Sequence, residues 1–227
     1  MTQAKRRSTA GARGDQPDGV LQYQQRVSAE KRSTILEVAI EMFLENGYES
    51  SRMDAIGDSA GVSYATLYKH FPSKDLLFIE AVDHLILQLF SRWKEHPAPS
   101  DVEAGLYAIG RALYELVSDA RLVATMRMVV AQVRNLPDVG RRFQQAKHLF
   151  GDVTDNWISK RVEEGVLSID NVQLARTEFI GMLSEAFFYP RLTVVDYSIS
   201  DAQVAEILDS AVATFVARYR QPKSGNR

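Results

Sequence analysis

An all-helical fold is the class this sequence predicts, and three observations predict it. Apolar residues recur at the three- and four-residue spacing of one helix face through nearly every segment. Strand-like alternation is weak everywhere, with the short "RLTVVDYSI" (191–199) its one candidate. The segments are punctuated by residues that end or open helices, among them Gly47, Gly61, Pro72, Gly165, Pro190 and Ser200.

Residues 1–27 are rich in Gly, Ser, Gln and charge without apolar spacing, and are expected to form a disordered basic arm. Ser28 then suits an N-cap, and Ile35, Leu36, Ala39, Met42 and Phe43 mark one face of a first helix. Gly47 can end it in a left-handed conformation. A second, short helix fits "SSRMDAIGDSAG", where Ser51 and Asp54 resemble a capping box and Met53, Ile56 and Ala60 face inward. Gly61 stops it, and Ser63 can cap a third helix through "YATLYKHF". So few residues separate the two that they should cross steeply, the geometry of a helix-turn-helix.

A longer helix follows over about 74–95, with a wide apolar stripe from Leu77 to Trp93, until the prolines of "HPAPS" (96–100) end it. Helices are predicted beyond it at 101–118, 120–134, 138–164, 171–189 and 201–219, the last opened by a Ser200/Gln203 capping box. The final residues, 222–227, read as a disordered tail.

Composition narrows the function. The chain has 227 residues, 45% hydrophobic and 25% charged, so it can bury a core of ordinary size. It has no cysteine, which excludes disulfides, thiolate metal sites and cysteine nucleophiles. No apolar run approaches the ~18 residues of a membrane span. The basic N-terminus has no apolar segment behind it, as a secretory signal would need, so a soluble, cytoplasmic protein is expected. The net charge is −2, yet through residue 32 seven cations (Lys5, Arg6, Arg7, Arg13, Arg26, Lys31, Arg32) face three anions (Asp15, Asp18, Glu30). A basic arm on an acidic body can meet phosphates without making the whole surface adhesive.

Enzyme chemistry finds little support. His70, His84, His96 and His148 are scattered, without the spacing of a zinc site. "GDSAG" (57–61) has the look of a nucleophile elbow but lacks the strand before it and a histidine partner. No catalytic residue, metal or cofactor is expected.

The third helix divides into two sides. Ser63, Leu67, His70 and Phe71 fall roughly along one, which would lock onto the first two helices. Tyr64, Ala65, Tyr68 and Lys69 fall on the other, offering phenols, a methyl and an ammonium, with Thr66 at the edge.

Residues 28–77, with "ILEVAIEMFLENGYESSRMDAIGDSAGVSYATLYKHFPSKDLL" at their centre, resemble the DNA-binding domain of the tetracycline-repressor (TetR) family of bacterial regulators. Two positions depart from the family pattern: Gly57, where alanine is usual, and Arg52, where Thr or Ser commonly caps the second helix. Ser51 is therefore taken as the cap and a DNA contact, and Arg52 as a phosphate contact by charge. The resemblance implies that Tyr64, Ala65, Thr66, Tyr68, Lys69, His70 and Lys74 meet double-stranded operator DNA. Tyr64 and Ala65 are best placed for base edges, Thr66, Tyr68, His70 and Lys74 for phosphates, and Lys69 for either.

The same resemblance implies an N-terminal three-helix DNA-binding domain (28–75) and a larger helical ligand-binding and dimerisation domain (76–221). Candidate lining for a small-molecule effector pocket is Trp93, Tyr107, Tyr114, Met126, Met128, Phe150, Trp157 and Phe179. The last two long helices carry apolar residues on more than one face. Phe179, Leu183, Phe187, Val204, Ile207, Leu208, Ala211, Val212 and Phe215 are therefore predicted to build a four-helix homodimer interface. The expectation is a ligand-released repressor. An activator or protein-responsive regulator of the same fold, and a helical enzyme or interaction protein with a vestigial helix-turn-helix, remain alternatives.

Overall fold

The computed structural model describes the backbone of residues 17–94 and 98–221, with side chains for 22–91, 98–148 and 151–221. Among the described residues ten helices follow in chain order: α1 (Pro17–Asn46), α2 (Met53–Ser59), α3 (Tyr64–His70), α4 (Lys74–Lys94), α5 (Val102–Val117), α6 (Ala120–Gln132), α7 (Pro137–Glu163), α8 (Val172–Phe187), α9 (Tyr189–Thr193) and α10 (Asp201–Tyr219). Residues 1–16 and 222–227, read above as arm and tail, lie outside the described residues.

Two expectations need correction. The first helix begins at Pro17, not Ser28, so residues 17–27 are helical. Absence of an apolar stripe was the wrong criterion there. The packed half of α1, anchored by Ile35, Leu36, Ala39, Ile40 and Phe43, supplies the costly nucleus. The Gln, Arg, Ala, Glu and Lys residues before it then extend the helix by propensity alone. The second correction concerns 191–199. Its first residues finish α9 and the rest run as irregular chain. Arg127 on α6 donates to the carbonyls of Arg191 and Leu192 at 2.5 and 3.2 Å, taking acceptors a strand would have used. Among the described residues the one β-pairing is an isolated bridge between Leu167 and Arg220.

Side-chain caps open five of these ten helices. The side chains of Ser63, Asp101, Asp119, Asn171 and Ser200 each accept a first-turn backbone N–H of the helix they precede. The predicted Ser200/Gln203 capping box is present in full. Gly47 and Gly61 adopt positive φ, 79° and 65°, at the ends of α1 and α2, where a side chain would be strained.

Two apolar cores result. One joins α1–α4 to Leu122, Met126 and Val129 of α6 and Val139 of α7. The other is built by α5, α7, α8 and α10 around Phe179, Leu183, Leu208 and Phe215. The boundary expected at 75/76 falls in the first turn of α4, whose Leu77, Phe78 and Val82 share a core with Ile35 and Phe43. One helix thus serves both halves of the molecule.

Candidate nucleic-acid interface and effector cavity

The helix-turn-helix is held by its turn. Val62 N–H donates to Gly57 O at 3.0 Å and Gly61 N–H to Asp58 O at 3.1 Å, closing α2. Ser63 Oγ accepts from Thr66 N–H at 3.2 Å and opens α3. Leu67 and Phe71 are fully buried, which fixes the rotation of α3. Tyr64, at 62% exposure, and the exposed Ala65 and Lys69 then face outward, while Thr66, Tyr68 and His70 are half-buried. The Tyr64 and Tyr68 rings sit 4.3 Å apart and stiffen one another. They form an aromatic edge along the outer side of α3. The neighbouring Tyr64 phenol is the main cause raising the Tyr68 pKa above its ordinary value.

Charge gathers at the far end of α3. Burial chiefly, then Arg32, Lys69 and Lys31, hold the His70 imidazole below its ordinary pKa. Lys31 and Arg32 of α1 therefore share a basic surface with Lys69 and His70, a contribution that the sequence showed only as part of a basic arm. Arg32 pairs with Glu80 and lies 5.0 Å from the centre of the Phe71 ring, so α1, α3 and α4 converge on it.

Three predicted contact residues are engaged within the protein, Ser51 by burial and Arg52 and Lys74 by bonds to neighbouring groups. Ser51 is buried at 3% exposure, and its hydroxyl donates to Gly47 O at 2.8 Å and Met42 O at 3.2 Å. It is neither the cap of α2 nor open to DNA, because the α1–α2 turn folds back over it. The residue in the cap position is Arg52, without a side-chain cap bond. Its exposed guanidinium makes a two-point pair with Asp54, Nε at 3.1 Å and Nη2 at 2.6 Å. Lys74 Nζ donates to the carbonyls of Tyr48 and Glu49, which leaves one N–H for a phosphate.

A cavity of about 140 Å³ lies where α4–α8 meet, lined by Phe90, Leu113, Leu116, Val117, Leu122, Met126, Phe143, Ile180, Phe188 and Tyr189. Lys147, Gly151, Thr154, Arg176 and Ser184 complete its wall. Of the eight residues predicted to line a pocket, Met126 does so. Tyr107 stands on a surface groove between α5 and α10. Tyr114 packs edge-on against Phe187 with ring centres 5.0 Å apart, and Met128 packs on the α1–α4 core. Trp157 donates Nε1–H to Pro99 O at 2.9 Å, and Phe179 meets Phe215 in the second core. The side chains of Trp93 and Phe150 lie outside the described residues. Bulk and aromaticity drew these positions into one list, but helix phase sends the six described ones in different directions.

The predicted dimer residues need the same correction. Phe179, Leu183, Phe187, Val204, Leu208, Ala211, Val212 and Phe215 are buried within one subunit, none above 6% exposure, and Ile207 is half-buried. The outer face of α8 and α10 instead carries Leu174, Met182, Ser210, Ala213, Thr214 and Ala217. The second burial surface was covered by α5, whose Gly110 allows Leu208 and Leu183 to approach its backbone closely.

Residues 35–81 match the family described as bacterial regulatory proteins, tetR family, and residues 104–221 the family described as AefR-like transcriptional repressor, C-terminal domain. The chain is similar to the HTH-type transcriptional repressor KstR of Rhodococcus jostii, 34% identical over 74 residues, 33% of this chain and 35% of that protein. It is also similar to the HTH-type transcriptional activator FasR of Mycolicibacterium smegmatis, 40% identical over 62 residues, 27% of this chain and 28% of that protein. The chain thus spans about a third of the length of these curated relatives. A solved TetR-family regulator from Mesorhizobium loti superposes with a TM-score of 0.74 at 26% identity, covering 86% of this chain and 98% of that one.

Proposed function

The chain belongs to the tetR family of bacterial regulatory proteins, and from that premise we propose that it is a homodimeric, ligand-responsive transcriptional repressor. Each subunit places Tyr64 and Ala65 in the major groove of a palindromic operator, with Thr66, Tyr68, Lys69, His70, Arg52 and Lys74 offered to phosphates. The observation that carries this reading is the division of α3 into a buried Leu67/Phe71 lock and an exposed Tyr64/Ala65/Lys69 edge. A helix so fixed can enter the groove with defined side chains foremost. The C-terminal match to AefR-like repressors supports repression.

Two subunits join through the outer face of α8 and α10, where Ala213, Thr214 and Ala217 allow close helix approach. A two-fold dimer of this kind presents its reading helices about 34 Å apart, one turn of DNA. Release follows from linkage: a ligand that prefers one conformation shifts the protein toward it by that preference. Continuous α4 supplies the connection, since its first turn is tied to the α1–α2 turn by Lys74 and its Phe90 lines the cavity. Arg121 of α6, next to cavity residue Leu122, pairs with Glu41 of α1 as a second link. Among the described residues no helix is long and apolar enough to cross a membrane, which suits work in the cytoplasm.

Selection of bound fragments from genomic DNA by the purified protein, followed by sedimentation of the complex, tests the reading. A recurring palindrome bound by a dimer is expected. Binding without sequence preference at moderate salt overturns it.

A further inference from the structure

We propose that the cavity between α5, α7 and α8 takes a small organic carboxylate, with an apolar body no larger than about one benzene ring and its carboxylate against Arg176. The inference rests on reading the C-terminal helices as a ligand-binding domain. Size comes first. The cavity measures about 140 Å³, and an apolar cavity of about 150 Å³ in another protein accepts benzene. Leu113, Val117, Leu122, Met126 and Ile180 give it the apolar wall such a body needs.

The opposite wall is charged and prepared for a partner. Arg176 donates through Nε to Asp155 Oδ1 at 2.8 Å, and the two side chains are 17% and 16% exposed. This side-on contact fixes the guanidinium plane but engages neither terminal nitrogen. The guanidinium lies flat on α7 because residue 151 is glycine: a Cβ there would come within 2.9 Å of Cζ and 3.1 Å of Nη2. Asp155 orients the group, Gly151 makes room for it, and its two terminal nitrogens match the two oxygens of a carboxylate.

Local charge then selects the ligand's sign. Asp155 is already matched by Arg176, and exposed Lys147, one turn before Gly151 on α7, stands on the same cavity. Asp155, Arg176 and Lys147 together carry one net positive charge, which favours an anion over a neutral molecule or a cation. A carboxylate on a longer or bulkier body would have to leave its apolar end outside or force the helices apart.

Isothermal titration calorimetry of the full chain tests this, with benzoate and phenylacetate as probes and benzyl alcohol, benzylamine and decanoate as contrasts. Benzoate or phenylacetate should bind at least about tenfold more tightly than benzyl alcohol, or about 1.4 kcal/mol. Arg176→Gln should bring benzoate to the level of benzyl alcohol. Gly151→Ala, which displaces the guanidinium while keeping it, should weaken benzoate in the same direction. It carries the test if Arg176→Gln fails to fold by circular dichroism. Equal binding of benzoate and benzyl alcohol, tighter binding of decanoate than benzoate, no binding of either carboxylate, or benzoate binding unchanged in the folded variants would each overturn the proposal. Operator binding is measured separately without any probe, so its loss would count against the regulatory reading and not against this site.

Discussion

The Lys74 ammonium lies 3.0 Å from the Tyr48 carbonyl oxygen and 4.5 Å from the centre of the Tyr48 ring. A second bond, to Glu49 O at 3.1 Å, completes a clip between the start of α4 and the turn that follows α1. Tyr48 is itself fastened, its phenol donating to Asp75 and its ring 4.9 Å from that of Phe78. The cation at the head of α4 thus braces the turn between α1 and α2.

Lys74→Ala should therefore lower stability by about 1.5–3 kcal/mol, the range for hydrogen bonds to a charged group. Urea unfolding measures it. A loss within experimental error of zero would return Lys74 to the simpler role of phosphate anchor.

Tyr64 and Lys69 should separate in DNA binding. Lys69→Ala is expected to weaken specific and random duplexes alike and to lower the salt slope by about 1. Tyr64→Ala should relax preference at particular base pairs and leave the slope unchanged. Fluorescence anisotropy across a salt series, on both duplexes, reads the difference.

His70 gives a pH dependence of defined sign. Burial first, then the neighbouring cations, depress its folded-state pKa below the ordinary 6.5. Between those two values the unfolded chain binds more protons, so stability rises with pH there. The contribution is complete above 6.5 and is lost as pH falls through that value toward the folded pKa. On the proposed DNA contact the sign reverses: phosphates beside His70 would favour its protonated form, so operator affinity should increase as pH falls. His70→Gln should flatten both profiles, followed by unfolding and anisotropy at a series of pH values.

Two glycines should respond in opposite directions to alanine. At Gly57 an added Cβ would sit 3.4 Å from Leu67 and 3.5 Å from Val62 O, ordinary contact distances inside a helix. Gly57→Ala should stabilise by about 0.5–1 kcal/mol. At Gly105 the Cβ would overlap the Trp157 ring and approach Pro99 O to 2.7 Å. That ring is held by its bond to Pro99 O and by Arg161, 5.3 Å from its centre, so it cannot swing aside. Gly105→Ala should cost about 1–3 kcal/mol, which thermal unfolding measures.

The sequence by itself determined most of the helices, though not the start of α1 or the short α9, and the two sides of α3. Capping residues, positive-φ glycines and apolar spacing act within a few residues, so Ser63, Gly61, Leu67 and the Ser200/Gln203 box carry their meaning locally. Tertiary structure decided what depends on which helices become neighbours. Ser51 went under the α1–α2 turn, Lys74 was drawn to carbonyls 25 and 26 residues earlier in the chain, and eight of the nine apolar residues marked for a dimer faced α5 and the subunit core instead. The cavity followed the same logic. Arg176 belongs to it because Gly151 and Asp155, on another helix, make room for its guanidinium and orient it. Helix spacing tells which residues share a face, but what covers that face is settled by the packing of helices far apart in the chain.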